Sequence, residues 1–192
     1  MQALQLQQLL ERLSSLLQSE SRASLSQYGL QPVQFEALHY LSICNRYSNT
    51  AKAVAEYLGL TKGTVSQSIK VLENKGLVTK KTDSKDKRIT HLSVTSAGSD
   101  LVKLLTPSSL LKSYCKQAEK GEPSDIIENL TSLLRQIQKQ HQHKTFGQCH
   151  SCTHNLKQDN GQFFCNLTKE PLSATDIKLI CSEHEPIELK QA

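Results

Sequence analysis

Four cysteines close to the end of this 192-residue chain carry its plainest chemistry: Cys149 and Cys152 stand two residues apart, Cys165 follows after twelve more and Cys181 after another fifteen. A C-x2-C knuckle lets two thiolates reach one metal while the backbone between them turns its N–H groups toward sulfur. Two disulfides or a redox pair are the alternatives. The start MQALQLQQLLERL lacks the charged-then-apolar layout of a secretion signal, which disfavours stable disulfides, and no βαβ pattern of the thioredoxin kind surrounds the knuckle. A metal centre on Cys149, Cys152, Cys165 and Cys181 is therefore the expectation. Zinc is slightly favoured on base rates. Small zinc ribbons use two short-spaced pairs, so Cys181 with His184 could supply the second, leaving Cys165 as a spare or as the true fourth ligand. An iron–sulfur cluster would take all four thiolates and tolerates uneven spacing, although neither ferredoxin run is present. His150 and His154 read as solvated neighbours of the knuckle.

A second chemistry lies between Thr61 and His91, where eight Lys or Arg face three acids, a local excess of 8 − 3 = +5. Phosphates are the natural partner of such a stretch. It begins with small donors and acceptors able to reach base edges in a major groove. The candidate contacts are Thr61, Lys62, Gly63, Thr64, Ser66, Gln67, Ser68 and Lys70, followed by Lys85, Asp86, Lys87 and Arg88.

These residues need a particular scaffold. In AKAVAEYLGL, Ala51, Val54, Ala55 and Leu58 recur at helical spacing, and Gly59 supplies a left-handed stop. Thr61 then caps a second helix whose apolar stripe is Val65, Ile69 and Leu72, leaving Lys62, Thr64, Gln67 and Ser68 opposite. Gly76 closes that helix. LVTKK and ITHLSVT alternate as two strands around the polar turn Thr82 to Lys87, which makes the unit a winged helix-turn-helix. Thr95 is expected to cap a helix running to about Gln117, with KGEP at Lys120 to Pro123 as the following break.

Leu6, Leu9, Leu13 and Leu16, flanked by Leu10 and Leu17, form an apolar face richer than one small domain requires. Ile126, Ile127, Leu130, Leu133, Leu134 and Ile137 repeat that pattern on a helix started by Pro123 and Ser124.

AEYLGLTKGTVSQSIKVLENKGLVTK followed by DKRITHLSVTSAG resembles the core of the MarR family of bacterial regulators, over roughly residues 1–140. That family's wing carries Asp-x-Arg a few residues before a Leu-Thr-x-x-Gly type sequence; here Asp86 and Arg88 stand in those places, with Val94, Thr95 and Gly98 after them. The resemblance implies a homodimer on a pseudo-palindrome of double-stranded DNA, built by the terminal helices, with the second motif helix in the major groove. It also implies that Arg88 sits in or near the minor groove, held there by Asp86. The cysteine-rich tail is outside the usual pattern.

The expected fold is mainly α with a small β-wing: a winged helix-turn-helix with N- and C-terminal dimerisation helices over 1–143, plus a small metal-bound module over 144–192. With few apolar groups, that module would be ordered mainly by its metal. No apolar run approaches a bilayer span, 37% of residues are hydrophobic and the net charge is +5, so a cytoplasmic regulator without a membrane partner is expected. The leading function is a transcriptional regulator, in the first place a repressor, answering to a small-molecule or redox effector. The competing function is a metal- or thiol-dependent enzyme in the tail with the winged helix as its docking domain. Against it stand the lack of a His-Glu-x-x-His set, a nucleophile with a base, or a glycine-rich phosphate loop. Cys44 and Cys115 each sit alone in expected helices as small buried apolar groups, and His39 and His91 carry no stronger signal.

Overall fold

The computed structural model describes residues 1–84, 86–159 and 161–187. Among these described residues seven α-helices and five short strands follow one another: α1 Gln2–Ser26, α2 Pro32–Ile43, α3 Ala51–Leu58, α4 Lys62–Asn74, β1 Val78–Thr82, β2 Thr90–Val94, α5 Ser96–Leu105, α6 Ser109–Gln117, α7 Glu122–Gln140, β3 Asn155–Lys157, β4 Phe163–Cys165 and β5 Glu170–Leu172. Two single 3-10 turns, Cys149–Ser151 and Asp176–Lys178, flank the last sheet.

Local rules set the helix-turn-helix. Thr50 caps α3 by accepting a bond from the Ala53 amide, and Gly59 ends it at φ 64°, ψ 33°, where a side chain would be strained. Thr61 caps α4 through the Thr64 amide, and Gly76, at φ 67°, turns the chain into β1. Val65, Ile69 and Leu72 are buried in a core shared with Leu38 and Tyr40 of α2, Val54 of α3 and Leu92 of β2. Each such side chain contributes about 1.5–3 kcal/mol through removal from water. β1 and β2 pair antiparallel with Val78 opposite Val94, and Leu92 is the inward residue of β2. Thr95 then ties wing to helix: its hydroxyl donates to the Gly76 carbonyl at 2.7 Å and accepts from the Gly98 amide at 3.1 Å.

The helix expected from Thr95 to Gln117 is broken. Pro107 cannot donate to an α-helix and pushes the residue before it toward extended geometry, so α5 ends with Thr106 at φ −118°, ψ 143° and Ser108 caps α6 afresh. Glu20 of α1 accepts bonds from the Ser109 and Leu110 amides, clasping α6 to α1.

β3, β4 and β5 form an antiparallel sheet carrying the cysteine segment, with its own small core of Cys149, Cys165 and Leu172 closed by Tyr47, Phe163 and Ile177. This unit lies against the winged helix. Phe146 and Ile180 join the main core, and Phe146 meets the Tyr57 ring edge-on at 5.2 Å. Among the described residues no helix is long and apolar enough to cross a membrane.

Candidate nucleic-acid interface and cysteine cluster

α4 projects its first turns outward, with Thr61, Lys62, Gly63, Thr64, Ser66, Gln67 and Lys70 all exposed. Ser68 is not among them. Expected on the polar face, it is only 4% exposed, because at three residues past Val65 it shares the buried side of a 3.6-residue turn. Its hydroxyl donates back to the Thr64 carbonyl at 2.9 Å and has no route to a base edge. A Cβ on Gly63 would meet nothing closer than the Thr61 hydroxyl at 3.8 Å, so the protein's own packing does not require glycine there.

The wing presents Arg88 at its tip, with 90% of its side chain in solvent. Asp86 holds it as a fork: Arg88 Nε donates to Oδ1 at 3.0 Å and an outer nitrogen to Oδ2 at 2.9 Å, while the Arg88 amide also reaches Oδ1 at 3.0 Å. The Arg88 guanidinium keeps the Asp86 carboxyl below the usual carboxylate range. Lys87 is exposed beside it, and Lys85 lies outside the described residues. Two of the local cations are spoken for within the protein, since Lys80 pairs with Glu73 at 2.6 Å and Lys75 donates to the Tyr28 carbonyl at 3.0 Å. At the root of the wing, His91 bridges Asn49 at 2.6 Å and Asp83 at 3.0 Å, fixing the wing to the turn before α3. No local pattern announces this role for His91, because the bridge joins residues 42 positions apart.

All six cysteines are free thiols. Cys149, Cys152, Cys165 and Cys181 are all buried in the tail unit, and burial, reinforced by the neighbouring Cys181, Cys152 and Cys165, pushes the Cys149 thiol up to about 12. The Glu185 amide donates to Cys152 Sγ at 3.5 Å. By residue type alone, four thiols are a donor set that suits a soft metal. No three or more His, Cys, Asp or Glu side chains among the described residues, however, are arranged to hold a metal ion. His184 faces hydroxyls: Nδ1 lies 2.6 Å from Thr145 Oγ1 and Nε2 3.1 Å from Ser151 Oγ. Both ring nitrogens are thus engaged, bracing the knuckle, and burial lowers the imidazole's affinity for a proton. Cys44 is buried, its thiol raised to about 12 by desolvation, whereas Cys115, also expected to be buried, is exposed on α6.

Arg46, Tyr47 and Ser48, which drew no notice as sequence, receive the tail. Arg46 donates to Asp176 at 3.1 Å and to the Pro171 carbonyl at 2.8 Å, and Tyr47 donates to Glu170 at 2.7 Å. Buried Ser48 accepts from the Ser182 amide at 2.8 Å. Backbone bonds from Asn45 to Ile180 at 2.8 Å and from Ile180 to Ile43 at 2.9 Å complete the seam.

Residues 28–89 match the model of the MarR family. The uncharacterized HTH-type transcriptional regulator YwaE of Bacillus subtilis (strain 168) is 29% identical over 113 residues, covering 59% of this chain and 64% of that protein, so the chain spans under two thirds of this curated relative. Among solved structures, the S. aureus MepR-DNA complex is similar at 26% identity and TM-score 0.57, over 68% of this chain and 96% of that one. S. aureus MepR in its DNA-binding conformation is similar at 25% identity and TM-score 0.59, over 69% and 98%. The likeness is to DNA-binding transcriptional regulators with the same winged helix.

Proposed function

We propose, from this likeness to MarR-family regulators, that the chain is a transcriptional regulator, in the first place a repressor, which binds a pseudo-palindromic operator in double-stranded DNA as a homodimer. One observation carries the reading: an exposed, small-residue α4 N-terminus and an Arg88 fork held by Asp86 stand on one unit whose helices and wing share a core. The first suits a major groove and the second a narrow minor groove. Gly63 supports it, since a helical glycine costs about 1 kcal/mol relative to alanine and its own packing offers no return. Close approach of a DNA backbone does.

The dimer reading rests on α1 and α7. α7 has no buried residue, and Ile127 and Leu134 are 65% and 55% exposed, as is Leu13 of α1 at 55%. Faces that apolar seek a second copy.

The tail is assigned a four-thiolate centre on Cys149, Cys152, Cys165 and Cys181, with zinc ahead of an iron–sulfur cluster. This reading takes Cys165 rather than His184 as the fourth ligand, and the Thr145 and Ser151 hydroxyls beside the two His184 ring nitrogens support that choice. Four protein thiolates leave no open position for a substrate, which favours a structural or sensing role over an enzyme. The effector of regulation is the state of this centre or a small molecule.

The test is equilibrium binding to a duplex selected from a random-sequence pool. Arg88→Ala weakens binding and reduces the salt slope by about one for the lost phosphate contact. Gln67→Ala changes base preference at one position by about 1–3 kcal/mol. An Arg88→Ala protein with wild-type affinity and slope would remove the wing from the interface.

A further inference from the structure

We infer that His91 is a positioning residue for DNA binding: set between Asn49 and Asp83, it fixes where the Arg88 fork stands relative to α4. The inference rests on the reading above that Arg88 meets DNA, and adds what aims it.

With 90% of its side chain in solvent, Arg88 takes its direction from Asp86. Asp86 is held in turn by Asp83, whose Oδ1 accepts from the Asp86 amide at 2.8 Å. Two backbone bonds, from the Asp83 amide to the Ile89 carbonyl and from the Ile89 amide to the Asp86 carbonyl, each 2.9 Å, tie these residues into one body at the tip. That body lies past the end of the wing's ladder, whose last pair is Thr82 with Thr90. A two-stranded ribbon twists strongly and is only marginally stable by itself, so the ladder does not fix the direction of what extends beyond it.

His91 does. Its Nε2 lies 3.0 Å from Asp83 Oδ2; a carboxylate oxygen only accepts, so the ring donates there, and Nδ1 takes up the Asn49 side chain at 2.6 Å. Asn49 belongs to the helical body. Its carbonyl accepts from the Leu92 amide at 2.8 Å, and Thr50, the next residue, caps α3. α3 shares with α4 the core of Val54, Val65 and Ile69. An imidazole is a rigid ring with its two nitrogens facing different ways, so one side chain spans tip and body with no rotatable bond between its two contacts. The series from Asn49 through His91, Asp83 and Asp86 to Arg88 therefore runs from the start of α3 to the cation assigned to DNA.

Removing the ring leaves the fork itself intact, because Asp86 and Arg88 bond each other. It also leaves the ladder from Val78 to Thr82, the buried Leu92 and the bond from its amide to Asn49. What is lost is the common placement of the fork and α4. Arg88 must then be ordered anew on each DNA molecule, and ordering one long side chain lowers affinity about twofold to tenfold. That loss requires Arg88. Once the arginine is gone, the direction of the tip no longer matters to binding.

The experiment titrates the selected duplex with the full chain as wild type, Arg88→Ala, His91→Phe and the His91→Phe/Arg88→Ala double variant, and follows hydrogen exchange of the Asp86, Ile89 and Leu92 amides. Phenylalanine keeps the bulk of the ring and removes both of its bonds. His91→Phe should weaken binding about twofold to tenfold in the wild-type background and leave the affinity of the Arg88→Ala protein unchanged. The Asp86 and Ile89 amides should exchange faster while the Leu92 amide keeps its protection. Asn49→Ala, which cuts the same series at its other end and leaves the Asn49 carbonyl in place, should repeat both results. Equal losses from His91→Phe with and without Arg88 would overturn the inference and leave Arg88 at the DNA. Loss of Leu92 protection in both variants would also overturn it, making the bridge a support of the whole wing. An Arg88→Ala protein with wild-type affinity would overturn the reading beneath it and the inference with it.

Discussion

A methyl group on Gly98 would press on the Leu77 carbonyl oxygen and lie 2.8 Å from Val94 Cγ1, whereas a methyl group on Gly63 would have ordinary room. The same substitution should therefore have opposite effects at the two helical glycines. Gly98→Ala overpacks the junction of wing and α5 and should cost about 1–3 kcal/mol, read as a lower denaturant midpoint with unchanged slope. Gly63→Ala should raise stability by up to about 1 kcal/mol while weakening DNA binding. A neutral Gly98→Ala would mean that α5 can shift away from Leu77. Both positions were visible in sequence, but for different reasons. Gly98 belongs to a recognisable motif whose cause, the close approach of Leu77, is tertiary. Ser68 shows the converse: its hydroxyl marked it as a base reader, and the helical period buried it.

Among the elements, α3, α4, the wing and the cap at Thr95 were legible because short-range rules fix them: threonine caps, left-handed glycines and alternating strands. The break between α5 and α6 was missed, because a single helix was expected to run through Pro107 to about Gln117. What the sequence could not show was the docking of the tail, since Arg46 meets Asp176 across 130 residues and nothing in CNRYSNT marks an arginine as a receptor. The leucine and isoleucine faces of α1 and α7 were equally legible, and they yield a prediction. Placing charge on the two most exposed apolar residues of α7, as Ile127→Asp/Leu134→Asp, should shift a dimer to monomer in sedimentation equilibrium while the helix-turn-helix core, which does not include them, keeps its cooperative unfolding. A dimer that survives both charges would place the interface elsewhere.

For the whole molecule, a +5 chain concentrates an equal local excess between Thr61 and His91, on the unit that α4 and the wing share. In the proposed symmetric dimer two such units would read two half-sites, with the cysteine module docked on segment 43–50 of each. The central claim is that symmetry. Its most direct measurement is the stoichiometry and affinity of the intact protein on duplexes carrying either both selected half-sites or one. The prediction is one dimer per two-site duplex, with half-sites about one helical turn, ~10 base pairs, apart, and far weaker binding to the single site. A monomer that binds the single half-site as tightly as the full site would contradict it.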